Sequence, residues 1–560
     1  MNYNAYPVLS KIARREIPAE LVLKNCRIVN VFSGEILRGE IAVTDGIIVG
    51  MGEGYTGNVE IDIEGNYVAP GFIDSHLHLE STMVTPPEVI NEANKFGTTT
   101  FIVDPHEAAN VAGIDGIDYI LDQTANLRAN VYVMVPSCVP SGPGEENGGT
   151  LAADDLKPYR DNPRILGLGE VMDSNAVITG DPDMMKKLRT FSDKNIDGHA
   201  PFLNNYVLAA YAMAGIKTDH ECSTYEYAME EVRHGIHVLI REGSAAHNVE
   251  AIVKGIVANH NSTRTFSFCT DDKHIEDIRR QGHISYNIKK SIELGIRPIK
   301  AIQMATINAA RCYGFDHLGA ISPGYQADMV IIGDLHEMDI KAVYHKGIDI
   351  NKAPRIPVKR CPIHLKNTVN VGDYNMKSLE LKVNSGLQDV IELVPGEILT
   401  KHLREQIPSE DGIFIPDSIY NKCVSVERHH HTGHIGVGII KGFNVHNGAI
   451  GSSVAHDSHN LNIVGDNDRD IALAIEALRE MQGGYVIIRD GKIADKLCLP
   501  IMGLMSDAGF EEVDGTLKRM KKNTMEMGVT EDNDPFVTLS FIALTAIPEI
   551  RITTHGVEII

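Results

Sequence analysis

A chain of 560 residues is too long for one hydrophobic core and should divide into two to four domains. Apolar residues make up 43% and charged residues 23%, the balance of an ordinary globular protein, which excludes disorder over most of the length. A formal net charge of −23 disfavours partners that need a positive field, so neither nucleic acid nor an anionic membrane is expected.

The N-terminal MNYNAYPVLSKIARREIPAE lacks the apolar core of a signal peptide, and runs such as FIALTAI are too short to span a bilayer. The cysteines (Cys26, Cys138, Cys222, Cys269, Cys312, Cys361, Cys423 and Cys498) form no CxxC pair. They read as buried free thiols in a reducing compartment, and the expected address is cytoplasmic.

From Leu21 to about Gly54, β-rich runs alternate with turns, and Thr44–Asp45–Gly46 between two apolar runs signals a hairpin. Residues 1–67 should therefore supply part of a β-sandwich. Over 68–314 the rhythm changes to short apolar strands followed by helical stretches. Strand candidates are VAPGFIDSH, TTTFIVDP, NVYVMVPS, ILGLGEV, IDGHAP, KTDH, HVLIREG and FSFCTDD, with PPEVINEANKFG and STYEYAMEEVRHG among the intervening helices. Eight such units predict an α/β chain with a (β/α)₈ TIM-like barrel, although a doubly wound sheet shares the alternation. Residues 315–366, with HLGAISPGYQADMVIIGD and DIKAVYHKGIDI, return to β and complete a composite sandwich from both flanks of the barrel. An additional C-terminal α+β domain should cover 367–560, with a helix at DIALAIEALREMQGG and strands at YVIIRDGKIA and FVTLSFIALTA.

The sharpest local signal ends the first barrel strand, in Gly71-Phe-Ile-Asp-Ser-His-Leu-His-Leu79. His76 and His78 are two apart, so on a strand both imidazoles face one side, and at a barrel strand's C-terminal end that side is the active-site mouth. Two half-buried histidines would explain an isolated HxH equally well. Here further candidates close later strands in phase: Glu170 after ILGLG, His199 after IDG, His220 after KTD and Asp271 after FSFCT. Six such residues at successive strand ends point to a divalent-metal site.

Together these motifs resemble the amidohydrolase superfamily, and within it the bacterial-type adenine deaminases. PGFIDSHLH, single histidines on strands five and six, the strand-eight aspartate and GAISPGYQADMVIIGD carry the wider resemblance. VDPHEAANV, GLGEVM, FCTDDKH and GSSVAHDSHN carry the narrower one, and the likeness covers nearly the whole length. The chain departs from the common binuclear pattern in having no strand-four lysine. Glu170 is placed to bridge instead, so two ions are expected, and a single ion remains open. The cytidine-type H-x-E with P-C-x-x-C is absent, and His199 is followed by AlaProPheLeu rather than by the acid of the barrel nucleoside deaminases.

The resemblance implies hydrolysis of adenine to hypoxanthine and ammonia in purine salvage. The metal ligands would be His76, His78, Glu170, His199, His220 and Asp271, with Asp271 as general base and Glu170 a possible second catalytic participant. A bound divalent ion lowers the pKa of water from 15.7 to about 7. Oxygen and nitrogen ligands suit Mn, Fe or Zn, and the family favours manganese or iron. His106 is the candidate for contacting the purine base or donating a ring proton, with a purely orienting role equally open. Asp272 is a candidate support for the site, and the Glu242–Gly243–Ser244 turn a weaker substrate contact.

The histidines 429, 430, 431 and 434, and 446, 456 and 459, fall in the C-terminal domain. That domain is expected to pack over the barrel mouth or at a subunit interface rather than to hold a second metal site, with Ser141–Thr150 a mobile loop at the same opening. A homo-oligomer, dimer or higher, is expected. Two alternatives stand beside this reading: another cyclic amidohydrolase such as a dihydroorotase-like enzyme, and a non-catalytic amidohydrolase-like scaffold.

Overall fold

In a computed structural model the chain is described over residues 4–142, 144–352, 359–396, 399–417, 419–530, 532–547 and 549–560. Pro143, within the loop expected to be mobile, lies outside the described residues.

Eight parallel strands follow one another around the barrel in sequence order: β1 (Phe72–Leu77), β2 (Thr98–Val103), β3 (Asn130–Val135), β4 (Ile165–Val171), β5 (Asn195–Gly198), β6 (Thr218–Asp219), β7 (His237–Arg241) and β8 (Phe266–Cys269). A parallel bridge between Leu77 and Asp271 brings the last strand back to the first, where Asp271 N–H donates to the His76 carbonyl at 3.0 Å. Every residue of β1 and β2 is buried, as expected for strands covered by helices on one side and filling the barrel on the other. Helices at Pro86–Asn94 and Tyr225–Arg233 lie where their period places them.

The two flanks meet in one eight-stranded sheet. Tyr67–Pro70 pairs antiparallel with Met329–Ile332, in the register Met329 opposite Pro70. The VAPGFIDSH run is thus two strands, because at Gly71 the chain leaves this sheet for the barrel. A Cβ at Gly71 would lie 2.1 Å from the Thr99 hydroxyl, so only glycine permits the crossing. The Asp45–Gly46 hairpin forms as expected, both residues at positive φ.

The C-terminal domain holds an eight-stranded sheet of its own, with Thr400–Glu405 and Lys492–Cys498 at its two edges and the helix Asp468–Glu480 against it. FVTLSFIALTA is not a strand. Pro535–Phe541 is helical, because Asp534 accepts from the backbone N–H of Phe536 and Val537 and Pro535 sits at the first helical position. Those start signals override the β-branched composition.

One apolar core runs from barrel to C-terminal domain without interruption. It joins Leu77, Leu79, Met83, Val84 and Ile90 to Leu499, Met502, Leu504, Met505 and Phe536. The domain therefore packs on the β1–β2 side of the barrel mouth. The 141–150 loop is tied down beneath it: His430 Nε2 lies 2.9 Å from the Asn147 carbonyl, Asn460 donates to the Glu146 carbonyl, and Gly148 N–H bonds Asn110. The structure shows this loop clamped between domains.

Candidate metal centre and active site

All six sequence-predicted ligands converge at the C-terminal end of the barrel, and Glu170 sits at their centre. His76 lies within β1 and His78 one residue past it, so their rings enter the mouth together, with Nε2 atoms 3.2 Å apart. Glu170 Oε1 faces both, 3.0 Å from His76 Nε2 and 3.1 Å from His78 Nε2. Asp271 Oδ1 stands 3.2 Å from His78 Nε2 and 3.7 Å from His76 Nε2. The other carboxylate oxygen of Glu170 faces the second pair, 2.9 Å from His199 Nδ1 and 3.6 Å from His220 Nε2. Glu170 thus divides the donors into two sets, one on each oxygen.

These donors fit a cation. Glu170 Oε1 is fully buried yet has no hydrogen-bond partner among the described residues, an arrangement that costs free energy unless another ligand satisfies it. Octahedral sites with ligands at about 2.1 Å keep neighbouring donors about 3 Å apart, the spacing found around Glu170 Oε1. Burial opposes ionisation of Glu170, but His220, His106 and His76 outweigh it and hold the carboxyl well below its usual range. Burial and the neighbouring His76 push His220 down to about 3, leaving it neutral, the form in which imidazole ligates metal.

His106 opens the helix α1 (His106–Ala112) directly after β2 and is buried beside this cage. Its Nδ1 lies 3.6 Å from Glu170 Oε1 and 3.6 Å from Asp104 Oδ1. Asp104 is itself placed by accepting from the Glu170 backbone N–H at 2.9 Å, and its carbonyl meets His78 Nδ1 at 2.8 Å. That second contact fixes the His78 ring so that Nε2 points inward. Asp272 is bonded by the Ser81 hydroxyl. Glu242 pairs with Lys290 at 2.6 Å and His247 at 3.2 Å, while the Ser244 hydroxyl bonds Asp277.

Several site residues escaped the sequence reading. Arg241, the last residue of β7, donates from Nη1 to Asp271 Oδ2 at 2.9 Å and pairs with Glu221. Asp271 Oδ2 is thus oriented by Arg241 while its Oδ1 faces the histidines. Burial opposes its charge, but the His78 contact and Arg241 hold Asp271 well below the ordinary carboxylate range. Glu221 follows His220 directly, with Oε1 3.5 Å from His220 Nε2. A charged residue closing an apolar strand was the signal available for Arg241.

The C-terminal domain supplies the rest. His456 Nδ1 and His459 Nε2 each contact one oxygen of Glu107 on α1. These three could in principle hold an ion, but His459 Nδ1 accepts the Ala455 N–H at 3.1 Å. Its proton is therefore on Nε2, facing Glu107, so the trio is a hydrogen-bonded clasp between domains. Phe541 packs on His456 with ring centroids 4.7 Å apart. Together with Arg241, Ala245, Asp271 and Asp272 it lines a chamber of about 20 Å³, room for one water. Ala245 and Phe541 also border an outer cavity of about 160 Å³ lined by His274, Lys521 and Asp534.

A parallel barrel with a buried histidine–carboxylate cage at its strand ends defines the class: a metal-dependent hydrolase barrel. Residues 67–348 match the amidohydrolase family, and residues 397–558 match the adenine deaminase C-terminal domain. An adenine deaminase of Desulfitobacterium hafniense strain Y51 is 56% identical over 96% of this chain and 94% of its own. Adenine deaminases of Clostridium acetobutylicum and Halalkalibacterium halodurans are 43% and 42% identical, covering 96% and 97% of this chain and 96% and 95% of theirs. The chain belongs to the adenine deaminase branch of the amidohydrolase family. No helix among the described residues is long and apolar enough to cross a membrane.

Proposed function

We propose that this protein hydrolyses adenine to hypoxanthine and ammonia. The observation that carries the reading is the convergence of His76, His78, Glu170, His199, His220 and Asp271 on one buried point, in a chain 56% identical to an adenine deaminase. His76, His78, Glu170, His199, His220 and Asp271 would hold the divalent metal, two ions if Glu170 serves both sets of donors. Manganese or iron suits this thiolate-free set, and zinc is compatible with it. When bound, the metal supplies a water acidified to a pKa of about 7 as nucleophile.

The chain's own residues do the proton work. Asp271 takes one proton of the attacking water as its oxygen adds to C6, and passes it to the exocyclic nitrogen, which leaves as ammonia; the second water proton leaves the C6 oxygen as the carbonyl forms and balances the one gained by the ring nitrogen. Arg241 keeps the Asp271 carboxylate ionised and aimed. His106, beside Glu170, lies where it can serve the ring nitrogen that gains a proton. Packing of Phe541 and the Gly243–Ala246 turn over the cage excludes bulk water. The free thiols fit a cytoplasmic enzyme of purine salvage.

The test is ammonia release from adenine, against adenosine, cytosine and dihydroorotate, by protein supplemented with Mn²⁺ and assayed for bound metal. Metal-loaded protein that releases no ammonia from adenine ends this reading, and turnover of dihydroorotate alone would install the cyclic amidase in its place.

A further inference from the structure

Four carboxylates gather where the C-terminal domain covers the mouth, and they differ in what is left for a ligand. Both oxygens of Glu107 are engaged by His456 and His459. Glu145 accepts from Ser141 and Thr545, and Glu146 from His434 and Thr554. Asp457 is 3% exposed, and its Oδ1 faces His106 Nε2 at 3.7 Å. Its Oδ2 is buried with no hydrogen-bond partner among the described residues. A buried carboxylate oxygen without a partner carries a desolvation penalty that an arriving donor would relieve.

The position says which donor. His106 stands between Asp457 and the cage, its Nε2 facing Asp457 Oδ1 and its Nδ1 facing Glu170 Oε1. A purine whose C6 lies over the metal ligands extends its five-membered ring away from them. In a free purine base that ring carries one N–H, on N7 or N9. In a nucleoside N9 bears the sugar and the N–H is gone. We propose that Asp457 Oδ2 accepts the imidazole-ring N–H of the purine, making this residue of the C-terminal domain the determinant that selects free base over nucleoside. His456 and His459, on either side of Asp457, hold the segment to Glu107 and so fix the carboxylate against the barrel. Sites built around such a hydrogen bond reject analogues lacking the group by up to about 10⁴–10⁵-fold, since the buried partner is then left unpaired.

This inference rests on the adenine reading above, and its test separates the two. Full-length, Mn²⁺-loaded wild type, Asp457→Asn and Asp457→Ala are compared for adenine turnover, bound metal and melting temperature. Competitive inhibition constants are measured for hypoxanthine and its 7-methyl and 9-methyl derivatives, neither of which has the N–H. Wild type should prefer hypoxanthine to both by about 100-fold or more. Asp457→Asn keeps the residue's size, so a preference cut at least tenfold, with metal content and melting temperature unchanged, identifies a hydrogen bond rather than a tight fit. Asp457→Ala should raise KM for adenine more than it lowers kcat. Retention of the wild-type preference in both variants overturns the proposal. So does an equal loss of affinity for methylated and unmethylated ligands, which would mean that Asp457 acts only through His106. Absence of ammonia from adenine in the metal-loaded wild type is the separate failure of the underlying function.

Discussion

The guanidinium of Arg241 donates to Asp271 Oδ2 at 2.9 Å while Asp271 Oδ1 faces His78 Nε2 at 3.2 Å. The proposed base is thus held between a permanent cation and the metal cage. A nearby cation favours a carboxylate's charged form, so removing it raises the carboxyl pKa. Because the base acts ionised, Arg241→Met should move the acid limb of the kcat/KM pH profile to higher pH and lower the plateau about tenfold or more. Glu221 would lose the same partner, so metal content must be measured alongside. An acid limb that stays in place would detach Arg241 from the base.

Glu170 makes a second expectation specific. Related barrels that bridge their metals with a carbamylated lysine need carbon dioxide, whereas a glutamate side chain bridges as it stands. Apoprotein prepared with chelator should therefore recover full activity on adding Mn²⁺ in bicarbonate-free buffer. Glu170→Gln retains shape but loses the charge shared by both donor sets. It should bind at least one ion fewer by elemental analysis and lose more than about 100-fold in kcat. Stimulation of the wild type by bicarbonate would count against Glu170 as the bridge.

What the sequence made legible follows from range. His76 and His78 announce themselves because two residues on one strand face share a direction, and strand-end position supplies Glu170, His199, His220 and Asp271. Arg241 obeys the same positional rule, but metal-ligand chemistry selects acceptors and looks past a cation; Glu221 lies one residue beyond its strand-end histidine, where position alone does not single it out. The Glu107–His459 contact spans 352 positions, and no local pattern encodes a contact between domains. FVTLSFIALTA was read by composition, when the informative residues were Asp534 and Pro535 just at its start.

The continuous core makes the C-terminal domain a partner in folding as well as in the site. Leu504 and Met505 are buried in the cluster that contains Leu79, Met83 and Val84 of the barrel. Leu504→Ala should cost about 2–5 kcal/mol, as other leucine truncations in cores do. Barrel and C-terminal domain should still unfold together in one calorimetric transition shifted to lower temperature. A chain ending at residue 366 would expose this face and should aggregate. Two separate transitions in the full-length protein would contradict a shared core.

Glu231 offers a prediction about stability away from the chemistry. It lies on the helix Tyr225–Arg233 with 0% exposure, its Oε2 2.8 Å from the Cys222 thiol and its Oε1 without a hydrogen-bond partner among the described residues. Burial, reinforced by Asp219, pushes its carboxyl up to about 10, so the folded protein keeps this group protonated at neutral pH. In the unfolded chain the same group ionises near 4.3, so between about pH 4.3 and 10 the native state holds one proton more. Stability from this group is complete below the unfolded pKa and declines as pH rises toward the folded one. Glu231→Gln presents a neutral side chain of the same shape whose amide can donate toward Asp219. It should therefore raise stability at pH 8 by about 1 kcal/mol or more and flatten the fall in stability between pH 6 and 9. Denaturant midpoints across that range measure both effects. A variant less stable than wild type at pH 8, or a pH slope equal to the wild type's, would show that Glu231 is ionised in the folded protein.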